Sequence, residues 1–293
     1  MSGEIVTIAP GKLYALVNPF ELDGRVTSYA SDARGFAPAN SSVYVEGDRA
    51  IFVETSFSVH EASLVAQLRS VLPATATVSL FPPRLGEFDS ICNERPVVEH
   101  FTVDALYGAH LNGTHWIDFR PDYNPPDRPL QSDKIDHLEL RIVAAHDTVN
   151  VDPAGTRKLD AFHPVLRLLL THWLYDEQTR SLFTSDVFTH VWRATEAGPW
   201  VVTSPEDGAS FEGMRDHLLG ARYWWLAGAR TEPIRRGLAD VFERYEIDTI
   251  LPSFGCILQG RRVVERHYDV LQQVLAELGA ATEAPRAVSS GTP

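Results

Sequence analysis

The sequence predicts an α/β fold, and three observations carry that expectation. A strand pair precedes the first helical pattern, another strand follows that pattern, and a strand ending in Pro-Ser-x-Gly separates two late helical stretches. Strands exchanged with helices along one chain bury their apolar faces in layers. A length of 293 residues allows a substantial core. One domain over residues 1–280 is expected, with a disordered tail at 281–293.

The elements follow in chain order. Val43 to Glu46 and Ala50 to Glu54 are β-rich runs joined by Gly47-Asp48, a pair suited to a hairpin turn. In HEASLVAQLRSVL, Ala62, Leu64, Val65, Leu68 and Leu72 recur at helical spacing. The run TVSLF is a strand, and Pro82-Pro83 lead from it into RLGEFDS, which sets Glu87 and Asp89 beyond a strand end. Ligand sites of α/β folds commonly lie there. DFRPDYNPPDRPLQSD reads as a surface excursion. HLELRIVAA and VLRLLLTHWLYD read as strands, the second turning through Asp176 to Thr179 into SLFTSD, so a hairpin delivers Asp186. Helices are expected over 214–227 and 234–246, then the strand IDTILPSFG. A last helix carries Val264, Tyr268, Leu271, Val274, Leu275 and Leu278 on one face.

Composition narrows the function. With 26 basic against 39 acidic residues the net charge is −13, which disfavours nucleic acid and anionic membrane surfaces. Arg235-Arg236 and Arg261-Arg262 read as solvated faces. The start MSGEIVTIAP lacks a basic, then apolar, leader, and no window reaches the ~18 apolar residues of a membrane span. A cytoplasmic location is the expectation. Cys92 and Cys256 provide neither a disulfide framework nor a zinc site and are expected to be reduced. Walker, Rossmann and G-x-S-x-G patterns are absent from the sequence.

Taken in order, NSSVYVEGDRAIFVETS, GEFDS, LYDEQTRSLFTSDVF and ARYWWLAGARTEPIRRGLADVFERYEIDTILPSFG resemble the metallo-β-lactamase fold. More narrowly, they resemble the oxygen-binding diiron domain of flavodiiron proteins, over about Glu4 to Leu278. The resemblance implies an αββα sandwich, with two mixed sheets packed face to face and helices outside. It implies no FMN site, because a flavodoxin-like domain does not follow. In that family an acidic His-x-Glu-x-Asp-His loop, a further His, an Asp ending the second hairpin and the His of Pro-Ser-His-Gly bind two irons. Carried over, Glu87, Asp89 and Asp186 are kept, whereas the histidine positions fall on Leu85, Ser90, Arg167 and Phe254. Glu54-Thr55-Ser56 stands where many members have Asp-Thr-Gly.

Imidazole suits iron and zinc, so this exchange removes most of the affinity for either. Carboxylates gathered in a pocket still require a countercharge. Arg84 and Arg167 are the expected countercharges, with guanidinium groups standing in for metals and bonded to Glu87, Asp89 and Asp186. Phe254 would turn part of the pocket apolar, as for an organic ligand. No metal or other cofactor is expected, and the chain is read as a binding or partner protein, or as a metal-independent enzyme. Its partners would be a small molecule, a second copy or a paralogue. If it is catalytic, Glu87, Asp89 and Asp186 are the acid–base candidates, provided their environments push them apart. The alternative is a hydrolase or oxidoreductase with a rebuilt oxygen-rich site for Fe, Mn or Mg on Glu87, Asp89, Asp186 and His190. Asp186 could also simply cap the turn after its strand.

Overall fold

Period-two alternation builds the first sheet. Leu13, Ala15, Val17, Tyr44, Ile51 and Val53 enter the principal core, while Leu16, Val43, Val45, Ala50 and Phe52 pack with Leu64 and Leu68 of the first helix. Successive strand side chains point to opposite faces, so strands buried on both sides become near-continuous apolar runs. The computed structural model describes residues 3–84, 87–108 and 138–283, without the side chains of 281–283. Leu85, the excursion at 118–133 and residues 284–293 lie outside the described residues.

The first half of the chain gives β1 (Glu4–Ala9), β2 (Leu13–Glu21), β3 (Phe36–Glu46), β4 (Arg49–Val53), α1 (Glu61–Val71) and β5 (Thr77–Phe81). Then come α2 (Phe88–Ile91), α3 (Glu94–His100), β6 (Thr102–Gly108) and β7 (Glu139–Ile142). These seven strands form one sheet in sequence order, antiparallel from β1 to β4 and parallel from β4 onward. The second half gives β8 (His146–Asn150), β9 (Lys158–Phe162), β10 (Trp173–Asp176), β11 (Ser181–Ser185), β12 (Val201–Val202), α4 (Phe211–Gly220) and α5 (Glu232–Arg244). It ends with β13 (Thr249–Pro252), β14 (Ile257–Gln259) and α6 (Arg261–Glu283). The second sheet runs β12-β14-β13-β11-β10-β9-β8, again mixed. Val53 and Phe81 of one sheet share a core with Trp173, Leu182 and Leu251 of the other and with Val270 and Val274 of α6, as the expected two-sheet sandwich requires.

The Gly47-Asp48 hairpin, α1 and β5 form where their patterns place them. The run VLRLLLTHWLYD is a strand only over Trp173–Asp176, and Val165, Leu168, Leu169 and Leu170 are exposed. An apolar run alone sets neither a register nor a face, and among the described residues this one pairs with no neighbour beyond the bridge of Thr171 to Arg84. HLELRIVAA likewise holds only β7, and the next strand, β8, already belongs to the other sheet. The helix expected from 214 starts at Phe211, where Ser210 Oγ accepts from Gly213 N at 3.0 Å. It ends at Gly220, followed by a separate 3₁₀ turn over Trp224–Gly228. Residues 281–283, assigned to the tail, continue α6.

Candidate functional site

Four strand ends deliver the site. Beyond β4 comes Glu54, beyond β5 Arg84, beyond β11 Asp186 and beyond β13 Ser253 and Phe254. Because β4 runs parallel to β5 and β11 parallel to β13, these exits lie at C-terminal ends within each sheet. Hydrogen bonds from Asn40 and Ser253 lock the exits together. Asn40 N donates to Ser253 O at 2.8 Å, Ser253 N to Ser185 O at 2.8 Å, and Asn40 Nδ2 to Pro252 O and Gly255 O at 2.9 and 2.8 Å. Glu54, Ser56 and Ser185 have φ of 62°, 61° and 52°, a left-handed conformation that costs a residue with a side chain ~1–2 kcal/mol. The fold holds this strain where the carboxylates leave their strands.

Arg84 is the centre of the cluster and is 0% exposed. Its Nε and Nη2 donate to Glu54 Oε1 at 3.1 and 3.0 Å, Nη1 donates to Asp186 Oδ1 at 3.0 Å and to Glu87 Oε2, and Nη2 also donates to Asp89 Oδ2. A guanidinium has five N–H donors, and these five bonds use all of them. Burial alone would lower the Arg84 pKa, but the surrounding Asp186, Asp89, Glu54 and Glu87 hold it well above its ordinary value. Glu54 Oε1 also accepts from Ser253 Oγ at 2.9 Å, while Oε2 is buried without a partner among the described residues. Burial pushes the Glu54 carboxyl up to about 8 against the pull of Arg84. Asp186 is raised by the same cause, opposed by Arg84 and Arg222.

The second cation is Arg222, just past α4. Its Nη1 donates to Glu87 Oε1 and Oε2 at 3.2 and 2.9 Å and lies 3.1 Å from Asp186 Oδ1. The structure thus brings Arg84, Glu87, Asp89 and Asp186 together and adds Glu54 and Arg222, which the motif reading did not assign to the site. Arg167 does not join them. It is half-buried, its Nη1 donates to Pro164 O, and the strand whose register put it at the site does not form there. Ser90 is fully buried and staples the acidic loop: Oγ accepts from Arg84 N at 3.4 Å and its carbonyl from Thr55 Oγ1 at 3.1 Å. His190 turns to His267, with Nε2 and Nδ1 2.9 Å apart, and lines a narrow crevice with Asp186 and His217.

Above the cluster opens a cavity of about 460 Å³, lined by residues 25–28, Phe57, Glu87, Phe88, Asp89, Leu169, Arg222 and Phe254. Phe254 stacks on Phe57 at 5.6 Å and meets Phe20 edge-on at 5.9 Å, and the Arg84 guanidinium carbon is 5.8 Å from its ring centre. A larger cleft of about 850 Å³ lies where β11 and β13 begin, lined by Tyr175, Arg180, Tyr245 and Glu246 among others. None of its lining residues has an orphaned buried polar atom, and it is remote from the strand exits. The described residues include no group of three or more His, Cys, Asp or Glu arranged to hold a metal ion. In the donor set that is described, the carboxylates are turned onto guanidinium groups. No described helix is long and apolar enough to cross a membrane.

Signals for the two unforeseen residues were weak. Glu54 was visible as an acid at a strand end, and Arg222 only as one of many arginines, in ARYWW. No family model and no curated protein matches the chain. Solved structures do match. A metal-soaked Flv1 flavodiiron core from Synechocystis sp. PCC6803 aligns with a TM-score of 0.64 and 15% identity, covering 94% of this chain and 61% of that one. Rubredoxin oxygen:oxidoreductase from Desulfovibrio gigas gives 0.62 and 14%, covering 96% and 62%. A diflavin flavoprotein fragment from Nostoc sp. PCC 7120 gives 0.64 and 14%, covering 96% and 98%. The chain thus spans about three fifths of the length of the first two. At these identities the likeness establishes architecture, and its conclusion is that this chain has the metallo-β-lactamase-like fold of the flavodiiron core.

Proposed function

We propose that this chain is a small-molecule-binding protein on the flavodiiron-core fold, in which two arginines take the place of metal ions. The observation that carries this reading is Arg84: fully buried, with all five N–H donors spent on Glu54, Glu87, Asp89 and Asp186. A divalent ion among these oxygens would have to displace a guanidinium of the same sign, and among the described residues no imidazole joins them in a metal-holding group. The four acids keep an ionic partner without metal, and the floor of the cavity stays rigid. Supporting the binding role is the cavity itself, with apolar walls over a few convergent polar groups, which is the usual composition of a ligand site.

The test is metal content by inductively coupled plasma mass spectrometry after offering iron, zinc and manganese in turn. The expected result is below about a tenth of an equivalent for each, against the full equivalent of a structural or catalytic site. Near-stoichiometric metal that vanishes in Asp89→Ala/Asp186→Ala would overturn the reading and make the chain a metalloprotein with a rebuilt site.

A further inference from the structure

The cavity above the cluster is built for one kind of ligand. Four carboxyl groups, Glu54, Glu87, Asp89 and Asp186, face two guanidinium groups, Arg84 and Arg222. Four acids facing two guanidinium groups leave an excess of acid over cation in the cluster. Both arginines are engaged with carboxylates, and the remaining cation at the rim, Arg25, is paired with Asp23. Each lining cation is thus already paired with at least one carboxylate, and an anionic ligand would have to compete with Glu87 and Asp186 for Arg222 and with Asp23 for Arg25.

Asp89 and Ser28 each offer a polar atom to a ligand. Asp89 gives Oδ2 to Arg84, and among the described residues no donor reaches its Oδ1. Ser28 lines the same cavity, is 4% exposed, and its Oγ has no hydrogen-bond partner among the described residues. An orphaned buried hydroxyl costs ~1–3 kcal/mol, which a ligand group or an ordered water would recover. The walls are aromatic and aliphatic: Phe57 and Phe254 lie nearly parallel, 21° apart, and Leu169 is half exposed at the rim. Ring faces attract cations as well as apolar bodies.

Resting on the reading of the preceding section, we infer that the cavity binds a small organic monocation, an amine carried on a flat apolar body. The ammonium donates to Asp89 Oδ1 beside Glu87, the body lies against Phe57 and Phe254, and a polar group of the ligand reaches Ser28 Oγ. No covalent step is involved.

Isothermal titration calorimetry of the full chain with three probes of one shape tests this: phenethylamine, phenethyl alcohol and hydrocinnamate. The amine is expected to bind one to one, and the alcohol and the carboxylate at least about tenfold more weakly. Asp89→Asn removes the ammonium's acceptor charge and is expected to weaken the amine by about tenfold or more. Because Asp89 also holds Arg84, Leu169→Arg serves as a second variant. It places a like charge at an exposed rim position without touching the cluster, and the same loss is expected. Equal or tighter binding of hydrocinnamate, amine binding indifferent to both variants, or no binding of any probe overturns the inference. Metal content of the same preparations separates the two failures: low metal with no amine binding sinks only the ligand class, whereas near-stoichiometric metal sinks the arginine-filled site beneath it.

Discussion

Replacing Arg84 by methionine keeps much of the side-chain volume and removes the charge at the centre of the cluster. Glu54, Glu87, Asp89 and Asp186 are then left with Arg222 alone, which reaches only Glu87 and Asp186. Breaking one buried ion pair costs ~3–5 kcal/mol, and here one removal strips the ionic partner from two acids and halves it for two more. We expect the upper end of that range, a large share of the ~5–15 kcal/mol by which domains are stable. Arg84→Lys keeps the charge but has three donors for five bonds, and hydrogen bonds to charged groups contribute ~1.5–3 kcal/mol each, so losing two of them is expected to cost ~3 kcal/mol or more. Urea unfolding at several pH values measures both. The Arg84→Met cost should shrink toward pH 5, where the orphaned carboxyls take up protons. It should also shrink on adding Mn²⁺ or Ca²⁺, since four oxygens freed of their guanidinium become a hard-cation site, and ligand at a thousandfold over Kd returns ~4 kcal/mol. A cost under ~1 kcal/mol, indifferent to pH and metal, would show that Arg84 is not the countercharge and would refute the reasoning.

Two further outcomes follow from the same geometry. Arg222→Ala should destabilise by ~1–3 kcal/mol through its buried, hydrogen-bonded pairs, whereas Arg167→Ala should stay within ~0.5 kcal/mol; equal effects in urea melts would contradict the assignment. Glu54 binds its proton more tightly folded than unfolded, so its contribution is complete below its unfolded pKa and is lost as pH rises through about 8. Glu54→Gln should flatten the fall in stability between about pH 5 and pH 9, though not abolish it, because burial holds Glu94 well above the ordinary carboxyl range with the same sign. An unchanged slope would mean that Glu54 is ionised throughout.

Local chemistry was legible where it was decided locally. The Gly47-Asp48 turn, the helical spacing in HEASLVAQLRSVL and the β-branched run TVSLF each satisfy one element without outside help, and each element formed. VLRLLLTHWLYD was not legible in this way, because its apolar run fits a strand until pairing partners are counted, and most of it has none among the described residues. The acids at strand ends could be named from sequence, since a carboxylate after a strand is a local feature. Their cation could be named only in part. Arg84 sits on the same loop as Glu87 and Asp89, whereas Arg222 is 135 residues from Glu87 and arrives through the end of α4.

The sequence by itself determined the layered α/β architecture, the order of its elements and the need for positive charge among Glu87, Asp89 and Asp186. Periodicity and uncompensated charge are properties of the chain. Only the tertiary structure decided which guanidinium groups answer that need, that Glu54 joins them, that His190 pairs with His267, and that Ser28 and Asp89 keep free polar atoms beside the stacked Phe57 and Phe254. These depend on how two sheets bring four strand ends together, and pairings across 30 to 135 residues leave no local spacing to read.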